Sequence, residues 1–341
     1  MSELRALVAK ALSDVGVYID DARFDRVRLE AADIAGKHLR PELRRICAQE
    51  PTAVGASVGL SSGAISRLFG HGWQQAAGFA ALAGVRPHRV ADVARLGALL
   101  SLGIVLFDQI ADVFPSRRAA LAARLTPELL FAAKPGAAGS THSETSGDLG
   151  VDSVAALALE VMSGARRLGG RPDDIIRFRQ VIETMYRGEL ASLRTRRAGE
   201  PPSANVWDAL TAKSALPAAA VATLAELANP GASEATRVVV ERAATMVGEA
   251  FWIVDDLADL SADWDAGGWN RPIWLLLDRN EIPVSATDAV RKLVQTGIAA
   301  AEASRLGQLL AELAELPASS QRTLSRPVQA AVRSWVEEIP W

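Results

Sequence analysis

The stretch FWIVDDLADLSAD, residues 251–263, runs four apolar or aromatic residues straight into Asp255 and Asp256, with Asp259 and Asp263 following. In a helix, residues four apart share a face, so Asp255, Asp259 and Asp263 form an acidic ladder with Asp256 beside it. Like charges at that spacing repel, and something positive must offset them. Water and basic neighbours suffice where such a cluster is only a solvated helix end. A second run, LGALLSLGIVLFDQIAD at 96–112, ends in Asp108 and Asp112, again four apart. Two apolar helices, each with spaced carboxylates near one end, can face each other across a cavity. Hard oxygen ligands of this kind suit Mg²⁺, which keeps several waters and bridges carboxylates to substrate phosphates. The two clusters together point to a metal–diphosphate site.

The elements that must position these acids read as helices. Of 341 residues 49% are apolar, enough for a substantial core, and aromatic residues are few. Apolar residues recur at spacings of three and four in VAALALEVMSGARRL and VVVERAATMVGEAFWIV, while long alternating strand patterns are hard to find. That periodicity predicts an all-α fold. Gly-, Pro- and Ser-rich segments at 50–63, 134–148 and 198–205 mark turns and loops, with 134–148 expected to be a mobile surface loop. The two acidic stretches lie on opposite sides of that loop, so residues 1–341 read as a single helical domain. The glycines of AGGWNRP, residues 266–272, should end the acidic helix.

The net charge of −3 gives no reason to expect nucleic acid or an anionic membrane as a partner. A single cysteine, Cys47, excludes an internal disulfide and fits a reducing compartment. MSELRALVAKALSDVG lacks the continuous apolar core of a secretory signal, and LGALLSLGIVLF reads as too short to span a bilayer. A cytoplasmic protein without a transmembrane segment is the expectation.

Five stretches carry a resemblance. GKHLRP (36–41), FDQIAD (107–112), RGELASL (187–193), AKSAL (212–216) and FWIVDDLADL (251–260) follow one another along most of the chain. They are similar, in order and rough spacing, to GKRLRP, HDDxxD, G-Q/E-x-x-x-L, K-T-A-x-L and FQxxDDxxDL of the trans-prenyl diphosphate synthase family, and more widely of the class I isoprenoid synthases. The resemblance implies a bundle of long helices around a central apolar cavity, with both aspartate motifs at its mouth. It implies three Mg²⁺ ions that bridge the carboxylates to an allylic prenyl diphosphate and stabilise its departure without a protein nucleophile. Asp108 and Asp112 would bind metal on one side, and Asp255, Asp256 and Asp259 on the other. Lys213 would contact the allylic diphosphate. Lys37 and Arg40, with Arg117 or Arg118, would hold the diphosphate of isopentenyl diphosphate. Relatives commonly form homodimers, so the same is expected here.

The departures from the family pattern matter as much. The second aspartate of the first motif is Gln109, a weaker Mg²⁺ ligand than a carboxylate, and the histidine before the motif is Phe107. An upstream family histidine falls at Ser101, the RRG glycine is Ala119, and the glutamine before the second motif is Trp252. The lysine usual in the following loop has no counterpart in DWDAGGWNRP. Trp252 either packs in the core or adds an aromatic wall that supports a cation; Trp264, Trp269 and Trp274 can clamp the loop. Asp255, Asp259 and Asp263 also loosely match the metal triad of terpene cyclases. Three readings follow: prenyl transfer, most simply to isopentenyl diphosphate; cyclisation of a linear prenyl diphosphate; or a non-catalytic partner subunit. Ile104, Val105 and Ser101, below the first motif, would line one side of the pocket floor that sets chain length.

Overall fold

The computed structural model describes residues 3–125, 146–194, 203–317 and 321–339. Most of the 134–148 loop, and residues 198–202 of the third punctuating segment, lie outside the described residues. Among those described there is no strand. The helices are α1 (Glu3–Asp14), α2 (Asp21–Cys47), α3 (Pro51–Ser57), α4 (Ser62–Leu82), α5 (Pro87–Val113), α6 (Arg118–Arg124), α7 (Leu149–Arg167) and α8 (Pro172–Arg194). They continue as α9 (Ala204–Ala228), α10 (Glu234–Ala258), α11 (Leu260–Ala266), α12 (Arg271–Asp278), α13 (Ala286–Gln295), α14 (Ile298–Ala314) and α15 (Arg326–Glu338). The all-α expectation is met.

Local signals start these helices where the sequence places them. Pro51 and Pro87 occupy first turns, where a missing N–H leaves no bond unmade. Ser61, Asp148 and Ser285 cap α4, α7 and α13 with side-chain oxygens that accept N–H groups of the first turn.

The residues group into two compact units, one comprising 25–183 and 220–240, the other 1–24, 184–219 and 241–341. In the first, α5 lies along α4 and α7. Leu96, Leu99, Leu102 and Leu106 of α5, and Phe69 and Phe79 of α4, are buried almost completely. The run LGALLSLGIVLF, expected to be too short for a bilayer, is thus part of a 27-residue helix that is long and apolar enough to cross one by length and composition. Over half of its most apolar stretch is packed inside the protein, as in a core helix. Ser101 of α5 faces Gly72 of α4, where even a Cβ on the glycine would come within 2.8 Å of the serine side chain. A histidine at 101 would need space that this helix contact removes.

The second unit packs α1 along α14 and brings α15 against α1. Leu4, Val8 and Leu12 of α1 and Leu306, Leu309 and Leu310 of α14 form its buried seam. Arg333 of α15 holds the chain before α2 by donating to the Ile19 carbonyl at 2.8 Å and the Asp21 carboxylate at 2.6 Å.

A buried carboxylate of the first unit, Glu160 on α7, is paired with several arginines. Its Oε1 accepts from Arg45 at 2.9 Å, Arg95 at 3.0 Å and Arg167 at 3.0 Å. Burial disfavours its charge, but the hydrogen bonds and positive charge of Arg45 and Arg95 outweigh that and hold the carboxyl below its ordinary value of 4.5. Arg45 and Arg167 are half in water, which screens part of the interaction. Glu160→Gln should therefore cost about 2 kcal/mol in urea unfolding at neutral pH. Because the folded pKa is depressed, the wild-type advantage should be fully present above pH 4.5 and disappear as pH falls through the folded value.

Candidate functional site

The acidic stretch begins at the end of α10, where Trp252, Ile253 and Val254 are buried and Asp255 and Asp256 are half-buried. Asp259 is the exposed junction with α11. Although the helix is interrupted there, Asp259 N–H bonds the Asp255 carbonyl at 2.8 Å and Asp263 N–H bonds the Asp259 carbonyl at 2.9 Å. The i→i+4 backbone ladder thus passes through the break and preserves the spacing of Asp255, Asp259 and Asp263. Gly267, in the left-handed conformation at φ 67°, ends α11, and Gly268 N–H returns to the Asp263 carbonyl at 2.8 Å. The expected glycine stop is present.

The chain then folds back onto the acids. Arg271 N–H donates to Asp256 Oδ2 at 2.6 Å. Asn270 Nδ2 donates to Asp263 Oδ2 at 3.1 Å and to the Asp256 carbonyl at 3.2 Å. The Asp256 carboxyl is pushed up to about 8, first by burial and then by the charge of Asp263; the Arg271 N–H, the charge of Lys213 and a hydrogen bond with Trp252 oppose the shift. A partly buried acid that resists ionisation beside a second acid is an arrangement that a nearby cation relieves. With carboxylate oxygens as the donor set, the residues fit a hard divalent ion such as Mg²⁺. Asp255, Asp259 and Asp263 supply carboxylate oxygens along this stretch, while one oxygen of Asp256 is engaged by the start of α12.

Lys213 of α9 lies within electrostatic reach of Asp256 and pairs with Glu189 of α8 at 3.2 Å. The close approach of the two helices makes this pair possible. A Cβ on Gly188 would stand 2.7 Å from the Ala209 carbonyl oxygen and 3.0 Å from Lys213 N. The glycine of RGELASL therefore sets the helix distance that brings Glu189 to Lys213.

Trp252 is 6% exposed. Its ring lies 5.1 Å from Trp207, which stacks on Trp274 at 4.1 Å. The Arg271 guanidinium sits 5.1 Å from the Trp252 centroid and is anchored to Glu302 of α14 by Nε–Oε2 at 2.5 Å. Trp252 is thus both packed in the core and part of an aromatic–cation stack. Sequence reasoning missed Glu189 as the partner of Lys213, and it missed Trp207, Asn270, Arg271 and Glu302. Only Asn270 left a signal, as a helix-capping residue two positions before Pro272.

In the other unit, Asp108 and Gln109 are half-buried and Asp112 is exposed near the C-terminal end of α5, with Phe107 buried. Acids at a helix C-terminus face its negative pole, which again favours a nearby cation. Ser101, Ile104 and Val105 are half-buried on the same helix. Arg118 donates to the Ala111 carbonyl at 2.5 Å, while Arg117 pairs with Asp148 at 2.9 Å and lies over Phe114. Both hold the turn after α5 in place. On α2, Lys37 pairs with Asp33 at 2.6 Å and Arg40 with Glu50 at 2.9 Å, all in largely or partly exposed positions. Such pairs contribute roughly 0–1 kcal/mol, little enough for a diphosphate to displace.

The chain shares its all-helical fold with solved prenyl diphosphate synthases. It is similar to a geranylgeranyl pyrophosphate synthase from Lactobacillus brevis, at 15% identity and TM-score 0.56 over 88% of this chain and 94% of that one. A heptaprenyl diphosphate synthase from Staphylococcus aureus matches at 13% identity and TM-score 0.55, over 91% and 99% of the two chains. A geranylgeranyl pyrophosphate synthetase from the archaeon Geoglobus acetivorans matches at 11% and 0.54, over 93% and 100%. No protein-family model and no curated protein sequence matches the chain.

Gly188→Ala tests the helix approach that seats Lys213. The added methyl should push α8 from α9 and cost about 1–3 kcal/mol, read as a lower urea midpoint with an unchanged slope. A midpoint equal to wild type would show that the contact yields without strain.

Proposed function

We propose that this chain is a Mg²⁺-dependent enzyme that ionises an allylic prenyl diphosphate and transfers the prenyl group, most simply to isopentenyl diphosphate. The observation that carries the proposal is the acid-rich end of α10 and α11, with Lys213 in electrostatic reach, in a chain of this fold. Mg²⁺, when bound, supplies Lewis-acid charge for the departing diphosphate. Asp108 and Asp112 of the first motif are proposed Mg²⁺ ligands in one unit, and Asp255, Asp259 and Asp263 of the second motif in the other. Lys213 exchanges part of its interaction with Glu189 for the allylic diphosphate. Lys37 and Arg40 exchange weak surface pairs for the second diphosphate. The apolar residues that precede each acidic motif exclude water from the reacting carbon chain.

A second reading, cyclisation of a linear prenyl diphosphate, is favoured by Ser101 at the crowded contact with Gly72. Incubation with Mg²⁺ and geranyl, farnesyl or geranylgeranyl diphosphate, with and without isopentenyl diphosphate, separates the readings. Longer diphosphates formed only with isopentenyl diphosphate support transfer; hydrocarbons or alcohols formed without it support cyclisation. Consumption of neither substrate, with turnover appearing only beside an added catalytic relative, would make the chain a partner subunit.

Asp255→Ala should lower diphosphate release by about a hundredfold or more while leaving thermal unfolding of the metal-free protein near wild type. Normal turnover would return the acids to the status of a solvated helix end. Lys37→Ala should depress elongation more than any cyclisation, as read from the two product classes in one assay; equal effects on both would count against a second diphosphate site there.

A further inference from the structure

The turn between α11 and α12 does more than end one helix and begin another. Asn270 is 1% exposed, and its amide oxygen accepts from Ile273 N–H at 3.0 Å to cap α12. That bond fixes which end of the amide is oxygen, because only an acceptor can cap the helix. The nitrogen end is left to face Asp263 Oδ2 at 3.1 Å and the Asp256 carbonyl at 3.2 Å. Serine, threonine or aspartate would serve as well for the cap alone. An aspartate would place a further negative group against Asp263, and a hydroxyl is too short to make both bonds. Only an amide of this length accepts at one end and donates to the acid at the other.

From this geometry we propose that Asn270 is a positioning residue for Asp263: its amide N–H holds one carboxylate oxygen and so fixes the orientation of that carboxylate as a Mg²⁺ ligand. The inference rests on the reading of Asp263 as a Mg²⁺ ligand. Gly267 and Gly268 make the geometry possible, since the left-handed residue turns the chain back and the Gly268 N–H ties it to the Asp263 carbonyl. Asn270 is thus brought beside a residue seven positions earlier. Arg271 follows in the same turn and bonds Asp256 through its backbone N–H.

The test is Asn270→Ser in the full chain, which keeps a capping oxygen and loses the donor to Asp263 and to the Asp256 carbonyl. Mg²⁺ is titrated calorimetrically into each protein with inorganic diphosphate present, and thermal unfolding of the metal-free proteins is measured in parallel. We expect Mg²⁺ affinity to fall about 10–100-fold, the usual consequence of losing an outer-shell partner of a metal ligand. The metal-free melting temperature should drop by no more than about 4 °C, the effect of the two lost hydrogen bonds to Asp263 and the Asp256 carbonyl. Unchanged Mg²⁺ affinity would overturn the proposal and leave Asn270 a helix cap alone. A large fall in the metal-free melting temperature, or failure to fold, would also overturn it, because Asn270 would then hold the turn together rather than aim the acid. If the wild-type chain itself binds no Mg²⁺ with diphosphate, the reading of the acids as metal ligands falls and takes this inference with it.

Discussion

Negative charge held at the margin of an apolar helix is the constraint around which this structure is organised. Phe251 to Val254 draw the end of α10 into the core, and the acids that follow cannot all be solvated as they would be on a free helix. The Asp256 carboxyl shows the consequence, standing near 8 because burial and the charge of Asp263 both oppose its ionisation. The protein supplies neutral donors to these acids, Arg271 N–H and Asn270 Nδ2. Its nearby cations, Lys213 and Arg271, each carry a further carboxylate in Glu189 and Glu302. The result is a donor set rich in hard oxygen, suited to a divalent ion.

The same few residues connect this chemistry to the packing. Arg271 touches the site in three ways: its backbone bonds Asp256, its guanidinium binds Glu302 of α14, and its charge lies over Trp252. Trp207 and Trp274 extend that stack. The turn between α11 and α12 is built around the buried Asn270 and the half-buried Arg271. Its contacts point inward to the acids and to α14.

Around the first motif the electrostatics differ in kind. Arg117 and Arg118 anchor the turn after α5 through backbone carbonyls and Asp148, whereas Lys37 and Arg40 are held by local pairs at the surface. The former are structural bonds. The latter leave basic groups that an anion can recruit at small cost.

What could be read from the sequence is what depends on short spacing. Periodicity of three and four gave the helices, because each helix bonds only to itself. Asp255, Asp259 and Asp263 kept their register through the break at Asp259, and Gly267 ended α11, for the same local reason. The length of α5 escaped, since its polar first turns extend the apolar run without sharing its composition. The site's supporting residues escaped more completely. Glu302 lies 31 positions from Arg271, Glu189 is 24 before Lys213, and Trp207 is 45 before Trp252. No local pattern pairs them, because helix packing brings them together. Tertiary structure alone also decided that Asn270, legible as a cap, spends its other end on Asp263: a side chain's second partner is chosen by how the chain turns back in space.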